Sequence, residues 1–407
     1  MIAFMVQTEI ARRSARLVLI STLLNSLWFT LPVWFLYSTR ELHLSALTAV
    51  NLNILIWVVS LLFNAPTGAL ADRFGRKLTY LSGIVLASIM PLAFALRLSL
   101  PLLVAATCVA GIGQAIMSGA LLPIVHRHYE KAGLLGRPYR NFLSSSMVVF
   151  YMGRIVNGFA GAWLFSIDPR YPFIATLVAF GLNFITVTFL RDIQPENKTT
   201  ETLRHIRATA TALAHTPLIR NMMLLYVAID ISGEAVWTAC QALFAADGRS
   251  VSTIGWLFTA IAACSAIGSY AYRHVVSNNH PYSIFMFSAL CMLASTFLLW
   301  QPHTSLRLLA VVPSGLIFGT TVIALNDVAQ RILANKFHST ALSLLASLKI
   351  ATFIVASFLI GLVIDKFGVQ SARDVMFYSS VILAAICAPF LWRHRGDKPL
   401  GQLGSTP

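Results

Sequence analysis

The stretch from Gly68 to Tyr80 reads GALADRFGRKLTY. Asp72, Arg73, Arg76 and Lys77 crowd together in it, whereas Leu42 to Ala71 contains no Asp, Glu, Lys or Arg. The residues that follow, Leu78 to Leu96, are equally free of charge. A dense knot of charge between two apolar runs marks a place where the chain leaves an apolar medium, turns within a few residues and re-enters it. Gly75 supplies the φ > 0 freedom that such a tight turn needs. Gly68, near the end of the preceding run, lets another helix approach closely.

The rest of the chain repeats this pattern. Of its 407 residues, 57% are hydrophobic and only 11% are charged, against about 25% charged in a soluble domain. Apolar runs of roughly 20 residues match the thickness of a bilayer. Inside lipid the backbone must satisfy its own hydrogen bonds, and continuous runs point to helices, not to the alternating short segments of a barrel. Twelve spans are expected, at about 15–38, 45–70, 77–97, 101–125, 142–166, 171–190, 219–245, 252–272, 282–300, 306–330, 340–365 and 373–392. The fold class is all-α, a membrane protein of two pseudo-symmetric six-helix bundles. The polar stretch after the sixth span divides the chain into an N-terminal bundle (1–191), a linker (192–218) and a C-terminal bundle (219–407). Its LRHIRATATAL segment reads either as a surface helix or as a plain solvated linker. Gly68-Ala-Leu-Ala-Asp72-Arg73 is echoed by Gly268-Ser-Tyr-Ala-Tyr272-Arg273 at the same place in the second half, an internal repeat of the kind transporter folds use.

The net charge of +15 does not imply nucleic acid, because the basic residues sit in short connections and no soluble module carries a basic face. With the N-terminus inside, the inner loops hold about three times as many Lys and Arg as the outer ones, which places both termini in the cytoplasm. The inner (plasma) membrane of a bacterium is the expected location. The five cysteines lie inside apolar runs without CxxC spacing and read as small hydrophobes. Residues 1–16 lack the layout of a cleaved signal peptide. No P-loop, HExxH or nucleophile elbow is present, so neither ATP-driven chemistry nor an enzyme is expected. His126 and His128 read as solvated members of a basic loop.

GALADRFGRK resembles the inner-loop signature of the major facilitator superfamily, G-x-L-a-D-r-x-G-r-k, at Gly68, Leu70, Asp72, Arg73, Gly75, Arg76 and Lys77. Span count, linker and topology agree with that family over nearly the whole chain. The resemblance implies a conformational latch. Asp72 would face the inner start of the eleventh helix near Ser339 to Ser343, where a helix N-terminus attracts a carboxylate, with Arg127 as a second partner. Likeness to drug-efflux members is looser. Gly158 and Gly161 are present late in the fifth span, but Phe159 stands where those antiporters carry Pro, and the first span offers only Asn25 and Ser26 where they place an acid.

Four ionisable residues stand deep inside spans: Arg154, Asp230, Glu234 and Lys349. A rise of about 1.5 Å per residue puts all four near the midplane. Charges there are costly, and Asp230 and Glu234, four apart, share a helix face. The set is either a proton-bearing site in a central cavity or a static group of charges that neutralise one another. Asn25, Trp28, Gln114, Tyr151, Tyr226 and Trp237 are candidates for lining a substrate cavity, and Asp327 with Arg331 reads as a structural pair. The function expected is secondary transport by alternating access: proton-coupled export of a small molecule (drug, antibiotic or peptide-like metabolite) first, proton-coupled uptake symport of a small nutrient or metabolite second, and a non-transporting membrane enzyme or sensor third. No cofactor or metal is called for; the partners are the bilayer and a small molecule, and the expected state is a monomer.

Overall fold

Backbone amides must be paired inside a segment that crosses lipid, and the chain meets this condition with helices throughout. The computed structural model describes the backbone of residues 2–118, 120–134, 137–192, 210–271, 281–332 and 338–393. Side chains are described within these ranges except at 2–6, 65–74, 137, 140, 144, 281, 322, 326–327, 329–332, 338–343 and 390–393. Among the described residues there is no strand.

The first unit comprises 1–43 and 52–200. Its helices are α1 (Ile2–Ser26), α2 (Ala46–Phe74), α3 (Arg76–Ala95), α4 (Leu100–Met117), α5 (Leu122–Lys131), α6 (Arg137–Ile167) and α7 (Tyr171–Thr188). The second unit comprises 44–51, the start of α2, and 201–407. It holds α8 (Pro217–Ala246), α9 (Val251–Ala271), α10 (Pro281–Trp300), α11 (Val311–Ile332), α12 (His338–Phe367) and α13 (Val369–Arg393). Pro sits in the first turn of α4, α5, α7 and α8, where its missing N–H costs nothing and its fixed φ starts the helix. Of the linker, only residues 210–215 and their approach to α8 are described, and these are helical.

The internal repeat is visible in the packing. In the first unit α1 packs on α5, α6 and α7, and α3 on α7; in the second, α8 packs on α11, α12 and α13, and α10 on α13. Each partner in the second set stands six spans after its counterpart. Glycines let the closest pairs approach. A Cβ at Gly113 would stand 2.5 Å from the Ala87 nitrogen, joining α3 to α4, and one at Gly319 would stand 2.2 Å from the Ser265 carbonyl, joining α9 to α11. Gly268 also rests against α11 and Ser269 donates to the Gly319 carbonyl at 3.1 Å, while Tyr272 and Arg273 of the echo motif lie outside the described residues.

Among the described residues, eleven helical segments are long and apolar enough to cross a membrane. The first expected span is not one of them, and here the sequence reading of an unbroken helix over 15–38 is corrected. α1 ends at Ser26, residues 27–33 leave the helix, and a short turn of helix (Trp34–Leu36) and a π turn (Tyr37–Glu41) follow. Pro32 is the cause: it lacks an N–H and its ring clashes with the carbonyl four residues back, at Trp28. The chain beyond the break is fastened by an aromatic group, with Tyr37 over Phe173 (4.4 Å), Phe94 stacked on Phe173 (5.6 Å) and the Tyr37 hydroxyl donating to the Phe94 carbonyl at 2.6 Å.

Candidate functional site

Asp230 and Glu234 lie one turn apart on α8, with 0% and 6% of their surface exposed. They point into the packing of α8 on α12. There the Thr352 hydroxyl donates to Asp230 Oδ2 at 2.5 Å. The same hydroxyl oxygen is 2.8 Å from the Lys349 carbonyl. Thr352 has one hydrogen for two acceptors. A charged Asp230 takes that hydrogen; a protonated Asp230 donates to Thr352 instead and frees its hydrogen for the α12 backbone. The Tyr226 hydroxyl stands beside the same carboxyl. Neither it nor Asp230 Oδ1 has a well-formed hydrogen bond, although both are buried.

The Lys349 ammonium acts on both carboxyls, and the carboxyls act on each other. No lysine–carboxylate ion pair joins them among the described residues. The ammonium instead sits over the Phe318 ring at 5.8 Å, a cation–π contact. Phe318 meets Trp237 edge-on at 6.2 Å, and Trp237 packs on Phe258 at 4.4 Å. Hydroxyl pairs lie nearby: Thr238 to Ser357 at 2.7 Å ties α8 to α12, and Ser380 to Ser232 at 3.2 Å ties α13 to α8. One cation thus faces two acids in an interior whose other polar groups are neutral hydroxyls.

The first unit is built differently. Arg154 stands on α6, over the Phe150 ring at 5.1 Å, with Tyr151 as its electrostatic neighbour. No carboxylate among the described residues pairs with it. The exposed stripe of α6 runs through Val148, Met152, Val156, Phe159 and Trp163; at about 100° per residue Arg154 lies about 160° round from Met152. Its neighbour Asn157 is 1% exposed with Oδ1 unbonded. Beyond Arg16, α1 carries only neutral polarity: Ser21 donates to Asn183 Oδ1 at 2.6 Å, and Tyr80 joins both.

At the inner turn, Gly75 has φ of 90°, as its sequence position requires. Lys77 donates its backbone N–H to Asp192 Oδ2 at 3.1 Å and its ammonium to the Thr188 carbonyl at 2.5 Å. The turn is therefore held by the end of α7. Arg76 and Arg127 are half-buried. The side chains of Gly68, Asp72 and Arg73, and those of Ser339 to Ser343, lie outside the described residues, so the latch assigned to Asp72 is not visible; the same holds for Asp327 and Arg331.

Among the sequence candidates, the structure gathers Asp230, Glu234, Lys349, Tyr226 and Trp237 in the second unit. Arg154, Tyr151, Asn25, Trp28 and Gln114 belong to the first. Trp28 keeps a buried Nε1 without a partner and tilts against Phe180 at 6.2 Å. Asn25 and Gln114 are half-buried. His128 corrects its reading as a solvated loop residue, being 3% exposed. Sequence reasoning missed Thr352, although it stands three residues after Lys349, and Asp192, whose partner is far away in the chain. It also missed the break at Pro32, although the proline itself was the signal.

A model of the Major Facilitator Superfamily matches residues 17–233. No curated protein matches. Among solved structures, a mutant of the nucleoside transporter NupG has a TM-score of 0.75 at 14% identity, covering 93% of this chain and 99% of that one. A D-xylose–proton symporter scores 0.73 at 14% identity, covering 96% and 99%. The POT family transporter PepTSo scores 0.71 at 11% identity, covering 95% and 99%. At such identities these likenesses show the fold.

Proposed function

The chain belongs to the major facilitator superfamily, and from that premise we propose that it is a proton-coupled secondary transporter whose proton rides on the Asp230–Glu234 pair. One observation carries this: two buried carboxyls one turn apart face a single ammonium, from Lys349. An ionised side chain near the bilayer centre costs about 2.5–3.5 kcal/mol on insertion scales, and like charges at this spacing disfavour each other. Charge balance is reached when the pair holds one proton. Approach or withdrawal of the Lys349 ammonium then decides whether that proton stays. Thr352 passes the state of Asp230 to the backbone of α12, and α8 and α12 are elements that alternating access would move.

The transported species is a small molecule and the direction is export, with both termini in the cytoplasm, by the basic bias of the inner loops and the resemblance of the inner-loop signature. Uptake by symport is the second reading, favoured by the likeness to the D-xylose–proton symporter. The latch role of the Asp72 turn belongs to the same proposal. The test is transport in inverted vesicles with an imposed proton gradient and a compound panel. Export predicts gradient-driven accumulation in the vesicles, lost in Asp230→Asn or Glu234→Gln while downhill exchange persists. Accumulation indifferent to both substitutions would overturn the assignment of the proton.

A further inference from the structure

We propose that the first unit holds the recognition site for an anion, a carboxylate carried by the transported molecule, with Arg154 as its receptor. The inference rests on the transporter reading but not on the site of the proton.

Three observations meet at one place on α6. Arg154 turns away from the exposed apolar stripe of its helix and has no acid to neutralise it among the described residues. A guanidinium with five donors, kept near mid-membrane over the Phe150 ring with Tyr151 beside it, lacks among the described residues the anion that normally accompanies it. Asn157, its neighbour three residues on, is 1% exposed and leaves an amide oxygen unbonded. The O and N of an amide are assigned from their partners, so a flip offers N–H donors to the same ligand.

The third observation is the break in the first span. A Cβ on Gly153 would overlap Ser26, and one on Gly161 would meet the Phe29 carbonyl at 2.2 Å. Asn157 lies on the same helix face, midway between these glycines, and so stands against the unwound residues 27–29. Trp28 in that segment has a buried Nε1–H without a partner. Irregular backbone at membrane depth persists where it is buried in protein or lines a site. Guanidinium and flipped amide, about one turn apart on α6, make a donor set without a matching acceptor among the described residues, and a carboxylate accepts from both in charge-assisted bonds.

The experiment is thermal unfolding of the purified full chain with small acids and their matched amides: benzoate and benzamide, nicotinate and nicotinamide, lactate and lactamide. At least one acid is expected to raise the unfolding temperature of the wild type while its amide does not. Arg154→Gln is expected to weaken that acid by about tenfold or more. Asn157→Asp, which sets a fixed carboxylate beside Arg154, is expected to weaken it as much in a chain that still folds. Asp230→Asn should leave the acid's effect intact, separating this site from the proton carrier. The proposal is overturned if no acid outdoes its amide, or if acids stabilise Asn157→Asp as well as the wild type. Should Arg154→Gln fail to fold, Asn157→Asp and Arg154→Lys decide. Loss of gradient coupling in Asp230→Asn with anion binding retained would support the transporter reading; retained coupling there would sink the proton assignment alone.

Discussion

The two units share one plan and differ in where they place charge. Each carries a cation on its fifth spanning helix, Arg154 on α6 and Lys349 on α12, and each cation lies over a phenylalanine ring. Only the second unit answers its cation with acids, on α8. The corresponding helix of the first unit, α1, offers a neutral Ser21–Asn183–Tyr80 network instead. The ends of the first and seventh spans show a parallel contrast. Glu41, after the first span, pairs with Arg97 at 2.7 Å, and Asp247, after the seventh, pairs with Arg307 at 2.5 Å. The two pairs are equivalent in the repeat, yet the first is 46% and 27% exposed and the second 6% and 8%. A repeated scaffold has thus kept its contacts while its electrostatics diverged, as expected if the two halves handle different cargo.

The largest stability difference should come from the outer pairs. Arg307→Ala strands a buried carboxylate, and the Gln301 carbonyl loses its donor; about 3–5 kcal/mol should be lost. The equivalent Arg97→Ala should cost about 0.2–1 kcal/mol, because that pair is solvated. Denaturation of both variants in detergent measures the contrast, and equal losses would break it. A smaller effect tests what the units share. Gly111→Val and Gly315→Val, equivalent positions that pack the fourth span on the second and the tenth on the eighth, should each cost about 1–3 kcal/mol, since both insert methyl groups against the Ile56 and Ile261 carbonyls. Gly181→Ala, with open space at its Cβ, should change little. Unequal losses at Gly111 and Gly315 would show that the repeat is not matched in packing.

The smallest effect concerns acid. Arg170 donates to Asp168 from its side chain and its backbone, which holds the Asp168 carboxyl below the usual carboxylate range. Its contribution is present above the unfolded carboxylate value and is lost as pH falls through the lower folded value. Asp168→Asn should therefore lower stability slightly at neutral pH and match the wild type in strong acid, with less contrast at high salt. A difference from the wild type that persists in strong acid would mean that the pair is more than a solvated clasp.

Much of this plan was legible in the sequence. Charge-free runs of bilayer length located the spans, because lipid permits few alternatives. The Gly75 turn followed from its place in the charged knot, and the four charges within apolar runs announced themselves by their cost. What escaped depends on contacts between residues far apart in the chain. Thr352 acquires meaning only when α12 lies against α8, and Asp192 only when α7 ends beside the inner turn. Arg307 and Asp247 read as ordinary loop charges until packing excludes water from both. The break at residues 27–33 lay hidden under uniform hydropathy, since an apolar window does not register the amide that Pro32 lacks.

The central claim is that Asp230 and Glu234 hold one proton between them. Infrared difference spectroscopy of the purified chain, taken across a pH titration, reads protonated carboxyls directly through their C=O stretch. The account predicts a titrating protonated-carboxyl band in the wild type that is absent from the Asp230→Asn/Glu234→Gln double variant. A band unchanged in the double variant, or no titrating carboxyl at all, would contradict it.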